Sequence, residues 1–128
     1  MWRLAMRINR FIPVIYCTGE LRAVHKRWKM LLNSAAGKLA FSGEGPEFDH
    51  NEIVSWTEDD NRGEFILLMI RAKTDCPLLD KITDSAFGVL SEKDLEMEIL
   101  EIPGEILERG LCGLILADAT VDCIIGGE

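Results

Sequence analysis

A chain of 128 residues with 48% hydrophobic and 28% charged side chains is one folded domain of ordinary size, able to bury a core without disulfides or metal. Its net charge of −8 opposes non-specific binding to nucleic acid, and no apolar run approaches the roughly 18 residues that cross a bilayer. The charge is unevenly divided: residues 1–38 carry eight basic side chains and one acid, whereas 39–128 carry six basic and twenty-one acidic. Such a division marks a partner-binding surface or is settled inside the fold.

Residues 2–9 alternate, with Trp2, Leu4, Met6 and Ile8 against Arg3, Ala5, Arg7 and Asn9, and predict a half-buried strand. Phe11–Cys17 continues apolar, and Pro13 points to an edge strand or a bend. Behind a basic start this run has the look of a short secretory segment, but Tyr16-Cys17-Thr18 is a poor cleavage site and the chain reads as cytoplasmic. Thr18-Gly19-Glu20 opens a helix with Thr18 as cap. Leu21, Val24, Trp28, Leu31, Leu32 and Ala35 form its stripe, His25 lies at the margin, and Gly37 marks the stop.

Ser42-Gly43-Glu44-Gly45-Pro46 reads as a loop leading into an acidic segment. Ile53–Thr57 predicts a strand, returning through a turn at 58–63 to form a hairpin with Phe65–Ile70. That last run, Phe-Ile-Leu-Leu-Met-Ile, has no polar interruption, so it is buried on both sides and forms the centre of the sheet. Thr74-Asp75-Cys76-Pro77 starts a second helix with the stripe Leu78, Leu79, Ile82, Ala86, Phe87 and Leu90. Asp94–Ile102 alternates and then slips phase at Leu100, which predicts a bulged strand; Ser91 with Asp94 mimics a helical capping box and makes helix the competitor. Pro103-Gly104 is a turn, Glu105–Arg109 a hairpin return or a helical turn, and Leu114–Ala117 and Thr120–Ile125 closing strands. The expected architecture is a single α+β domain over 1–128. Its sheet is mainly antiparallel and centred on residues 64–72, with two principal helices at about 19–36 and 76–90.

Residues able to carry chemistry are sparse. His25 beside an apolar face is a packed histidine before it is a base. His50, next to Asp49 and Glu52, is the better metal or acid–base candidate but lacks regular ligand spacing. Glu58-Asp59-Asp60-Asn61-Arg62-Gly63 places Arg62 where a calcium loop needs oxygen, so neither metal nor cofactor is expected. Cys17, Cys76, Cys112 and Cys123 have no metal or redox spacing and read as reduced core thiols. Neither a Gly-x-Ser-x-Gly elbow nor a phosphate loop is present.

The absence of catalytic groupings, with opposite charge fields in one small chain, predicts a non-enzymatic acidic protein-binding or regulatory module. It would self-associate as a homodimer and present Asp49, Trp56, Glu58, Asp59 and Asp60 to a protein partner with a basic surface, with no role for membrane and little for nucleic acid. One alternative is a small-molecule-binding domain or small enzyme with its site between the sheet and the first helix, using His25, Cys17 or His50. A further alternative is anion or RNA binding through Arg22, Lys26 and Lys29 on one helix flank.

Overall fold

A computed structural model describes residues 1–45, 52–72 and 76–127. In chain order its elements are α1 (Trp2–Arg10), β1 (Ile12–Thr18), α2 (Arg22–Ser34), β2 (Phe41–Gly45), α3 (Glu52–Glu58), β3 (Phe65–Arg71), α4 (Pro77–Ser91), β4 (Glu96–Glu101) and α5 (Ile106–Gly126). Short 3-10 turns cover Gly19–Leu21 and Asp60–Glu64.

The four strands are ordered β2-β1-β3-β4 and all run parallel, with Val14 opposite both Phe41 and Leu67, and Met69 opposite Ile99. The expected antiparallel sheet is therefore wrong, and the class is α/β rather than α+β. The physical reason lies in the unbroken apolar runs of β1 and β3. Strands covered on both faces lose the alternation of a one-sided sheet, and parallel neighbours need a crossover between them. Helices lie between consecutive strands throughout: α2 after β1, α3 after β2 and α4 after β3.

Side chains of the two central strands alternate between two cores. Ile15, Cys17, Leu68 and Ile70 face α1, α2 and α5, where Leu4, Ala5, Ile8, Trp28, Leu32, Ala117, Val121 and Ile124 close over them. Val14, Tyr16, Leu67 and Met69 face the other way, under Ala86, Phe87 and Leu90 of α4 and the partly buried Ile53 and Trp56 of α3. Five consecutive residues of β3, Ile66–Ile70, are buried, as the hexapeptide predicts.

Several local expectations are corrected. Residues 2–9 are helical: Leu4, Ala5 and Ile8 are buried at helical spacing, while Trp2 and Met6 stay half exposed at 55% and 51%. Pro13 lies in a central strand, one residue from its start, opposite Ile66. Residues 41–45 form β2 rather than a loop. Residues 53–57 belong to α3, so the predicted hairpin does not exist. The expected strand at 94–102 is β4, but its register with β3 runs without a bulge.

The largest difference is at the C-terminal end, where Ile106–Gly126 is one 21-residue helix in place of two strands. A reciprocal capping box starts it: the Glu105 carboxylate takes the Glu108 backbone N–H, and the Glu108 carboxylate takes the Glu105 N–H. The turn ahead of it has Gly104 at φ +102°, and α2 is followed by Gly37 at φ +61°; only glycine takes these values without strain. The helix at 77–91 starts with Pro77 in its first turn, as expected. Among the described residues no helix is long and apolar enough to cross a membrane.

Arg7 ties α1 to the outer edge of the sheet. Its guanidinium pairs with Glu98, reaches Glu96 at 2.9 Å, and donates to the Met97 carbonyl at 3.2 Å on the unpaired side of β4.

Candidate functional site

In an open parallel sheet, strand order reverses where consecutive crossovers depart to opposite sides, and the strand ends there leave a crevice. Here that point falls between β1 and β3. Thr18 ends β1, Arg71 ends β3 and Glu101 ends β4, so three residues far apart in sequence meet at one rim.

Arg71 organises the rim. Its guanidinium pairs with Asp84 of α4, its Nε lies 3.1 Å from Glu101, and its charge sits 5.7 Å above the centre of the Phe87 ring. It lines a cleft of about 340 Å³ together with Glu101, Ile102 and Pro103. On its other side it borders a crevice of about 10 Å³ with Thr18, Ala72, Asp80, Thr83 and Asp84, room for about one water. The buried Thr18 Oγ1 faces this region with no hydrogen-bond partner among the described residues, and such an atom is costly unless something meets it. A second arginine, Arg109, holds Glu20 at 3.4 Å where β1 turns into α2.

Several other titratable groups are buried or paired away from the rim. Burial pushes the Cys17 thiol and the Tyr16 phenol up, so both are neutral at neutral pH, and Tyr16 Oη accepts from the Trp56 indole N–H at 2.9 Å. On the α2 side of the sheet, the side that Cys17 faces, His25 is only 6% exposed. Its Nδ1 lies 2.9 Å from Ser42 Oγ, but its Nε2 is 3.6 Å from the Glu44 carboxylate, too far for a hydrogen bond. Glu44 is instead gripped by Arg22 through two bonds of 2.9 and 3.1 Å, which holds its carboxyl below the usual range.

Burial pushes the His25 imidazole below its ordinary value, the nearby Glu44 opposing the shift. Unfolding returns it to about 6.5, so the unfolded chain takes up the proton first as pH falls. His25 thus contributes stability that is fully present above that value and lost as pH falls through the folded value. The difference in urea midpoint between about pH 7.5 and pH 5.5 should shrink in a His25→Gln variant. An undiminished difference would exclude this assignment.

The residues singled out from sequence are dispersed. Trp56 is half-buried against Phe65, while Glu58, Asp59 and Asp60 are exposed and lie outside the rim. Asp49 and His50 fall outside the described residues. Arg22 is spent on Glu44, and Lys26 and Lys29 are exposed on α2, away from the cleft. Cys17 touches a crevice of about 20 Å³ beside Thr18. None of the four cysteines is in a disulfide, but Cys76 and Cys112 are exposed, so the expectation of four core thiols fails for two. Thr18, Arg71, Thr83 and Glu101 were not singled out. Their one signal is position: three of them close the carboxyl end of a strand.

The family model "Bacterial phospho-glucose isomerase C-terminal SIS domain" matches residues 1–120. A bifunctional phosphoglucose/phosphomannose isomerase of Aquifex aeolicus is 31% identical over 94 residues, covering 68% of this chain and 29% of that protein. The protein of that name in Thermoplasma volcanium is 32% identical over 84 residues, covering 62% and 28%. The chain therefore spans less than a third of these relatives' length. Among solved structures, a glucose-6-phosphate isomerase-like protein of Thermus thermophilus superposes with a TM-score of 0.73 at 12% identity, over 96% of this chain and 41% of that one. Vibrio vulnificus NanR, complexed with ManNAc-6P, gives 0.74 at 13%, over 98% and 53%. The family match overturns the expectation of an acidic protein-binding module, which rested on charge and on missing catalytic motifs. The chain belongs to the bacterial phospho-glucose isomerase C-terminal SIS domain family.

Proposed function

We propose that this chain is a sugar-phosphate-binding domain that supplies one wall of the site of a phosphosugar isomerase. The carrying observation is the cleft at the carboxyl ends of β3 and β4, beside the point where the sheet's order reverses, with Arg71 standing between Thr18 and Glu101 in a chain of this family. Its curated relatives are named for phosphoglucose and phosphomannose isomerisation, and a neighbour in fold was solved with a phosphosugar.

The electrostatics say which end of such a ligand faces this chain. Around the rim, Arg71 and Arg109 meet the carboxylates of Glu20, Asp80, Asp84 and Glu101. A phosphate dianion is repelled by that excess, whereas sugar hydroxyls can donate to the carboxylates and accept from Arg71 and the Thr18 hydroxyl. The hydroxyl-bearing end therefore faces this wall, and the phosphate takes its donors from outside the described residues. Aldose–ketose exchange also needs a group that moves a proton between adjacent carbons. Glu20, Asp84 and Glu101 are each engaged by an arginine, so these three recognise and orient rather than abstract.

Titration of the isotope-labelled chain with glucose 6-phosphate and mannose 6-phosphate should move the amide resonances of Thr18, Arg71, Ala72 and Ile102. Inorganic phosphate alone should leave them in place. Arg71→Met should weaken the response by about tenfold, the loss expected for a charge-assisted bond. Shifts absent from these positions, or equally strong with phosphate alone, would reject the site.

A further inference from the structure

At the other end of β3, about 20 Å from Arg71 along the strand, lies a second concavity. It is a cleft of about 300 Å³ between α3 and the turn that leads into β3, lined by Ser55, Trp56, Asp59, Asn61, Arg62 and Phe65. That is the lower end of the volume range of small-ligand sites. Nothing in the site at the strand ends uses it.

Its wall is rigid and apolar. The Trp56 and Phe65 rings meet edge to face, 5.4 Å apart at 77°, and the only donor of the indole is spent on Tyr16 Oη. What Trp56 offers the cleft is ring surface. The rim is polar and only partly committed. Asp59 uses Oδ1 to take the Asn61 backbone N–H at 2.7 Å, which leaves its second oxygen open. Arg62 gives one bond, to the Asp59 carbonyl at 2.9 Å, out of five donors. The Asn61 amide and the Ser55 hydroxyl make no hydrogen bond among the described residues. Planar side chains with paired donors and acceptors therefore stand beside a fixed aromatic wall.

Charge narrows the class of ligand. Glu58, Asp60 and Glu64 flank Asp59 around the single Arg62, an acidic field that repels phosphates, nucleotides and other anions. Within the lining itself the Arg62 guanidinium offsets the Asp59 carboxylate, so the cleft wall carries no net charge for an organic cation to pair with. An uncharged molecule with an apolar face and an edge of neighbouring hydroxyls satisfies both conditions. We propose that this cleft is a second ligand site, one that takes an uncharged pyranose ring, its C–H face against Trp56 and its hydroxyls on Asp59, Asn61 and Arg62. The site does not depend on the sugar-phosphate function of the strand-end cleft.

The test uses methyl α-glucopyranoside and methyl α-mannopyranoside, ring-locked and without charge, titrated into the isotope-labelled chain. Saturable shifts should appear at the Trp56 indole N–H and at the amides of Asn61, Arg62 and Phe65, with a millimolar dissociation constant, as befits a ligand of this size in an open cleft. Arg62→Met and Asn61→Ala should each weaken binding at least about fivefold, the loss expected when a hydrogen bond to the ligand goes. Both positions are on the surface, so the variants keep the fold. The proposal is overturned by any of three results: no saturable shift at these positions, binding unchanged in both variants, or the 6-phosphates moving the same resonances with equal or greater affinity.

Discussion

Replacing Trp28 with alanine should lower the unfolding free energy by about 3–5 kcal/mol, a large part of the 5–15 kcal/mol that holds a domain of this size. Trp28 is fully buried in the core under α1, α2 and α5, where its ring fills the space between Leu32, Val24 and the central strands. The loss combines the transfer of the ring with the cavity it leaves. Its indole nitrogen is buried without a partner among the described residues, which costs the native state about 1–3 kcal/mol. Trp28→Phe keeps most of the ring and removes that unmet donor, so its loss should be well under half that of alanine. Urea unfolding followed by far-ultraviolet circular dichroism measures both. Equal losses in the two variants would exclude this account of the Trp28 site.

The second large effect is expected at Gly113, where α5 crosses α2. A Cβ there would lie 2.7 and 2.8 Å from the two methyl carbons of Val24 and 3.1 Å from Ile102 Cδ1. Alanine is a better helix former than glycine by about 1 kcal/mol, so on propensity alone Gly113→Ala would stabilise. The contact distances decide the sign: overpacking at a seam with no slack costs about 1–3 kcal/mol, and the variant should be less stable. Val24→Ala removes the obstructing methyls. In that background Gly113→Ala should become neutral or stabilising, a coupling measured by a double-mutant cycle. Additive effects would show that the seam widens freely.

These two positions also show what could be read from the chain and what could not. Trp28 stands in a helical stripe visible from spacing alone, and the unbroken run at Phe65–Ile70 announced a strand covered on both sides. The same inference applied to β1, yet Pro13 drew that run toward an edge; near the start of a strand its missing N–H costs little. Strand direction was lost because Ile53–Thr57 is rich in β-branched and aromatic residues, and packing of Ile53 and Trp56 against β3 outweighs that propensity. Helix α5 hid for another reason. Gly110 and Gly113 lower its propensity, and Leu111, Cys112, Leu114, Ile115 and Leu116 put apolar side chains on nearly every side, erasing the period. The candidate site was not legible at all. Thr18, Arg71 and Glu101 form no motif; only the parallel strand order brings them to one rim, and that order is a tertiary fact.

The Arg7 clamp on β4 has a consequence for behaviour in concentrated solution. An outermost strand with free carbonyls and amides is a template on which a neighbouring molecule can extend the sheet, and runaway extension is how such proteins precipitate. Arg7 occupies an outward carbonyl near the start of that template and, with Glu96, Glu98 and Glu101, leaves a charged border that a foreign strand would have to dehydrate. One arginine near the amino terminus thus guards the β4 edge against extension.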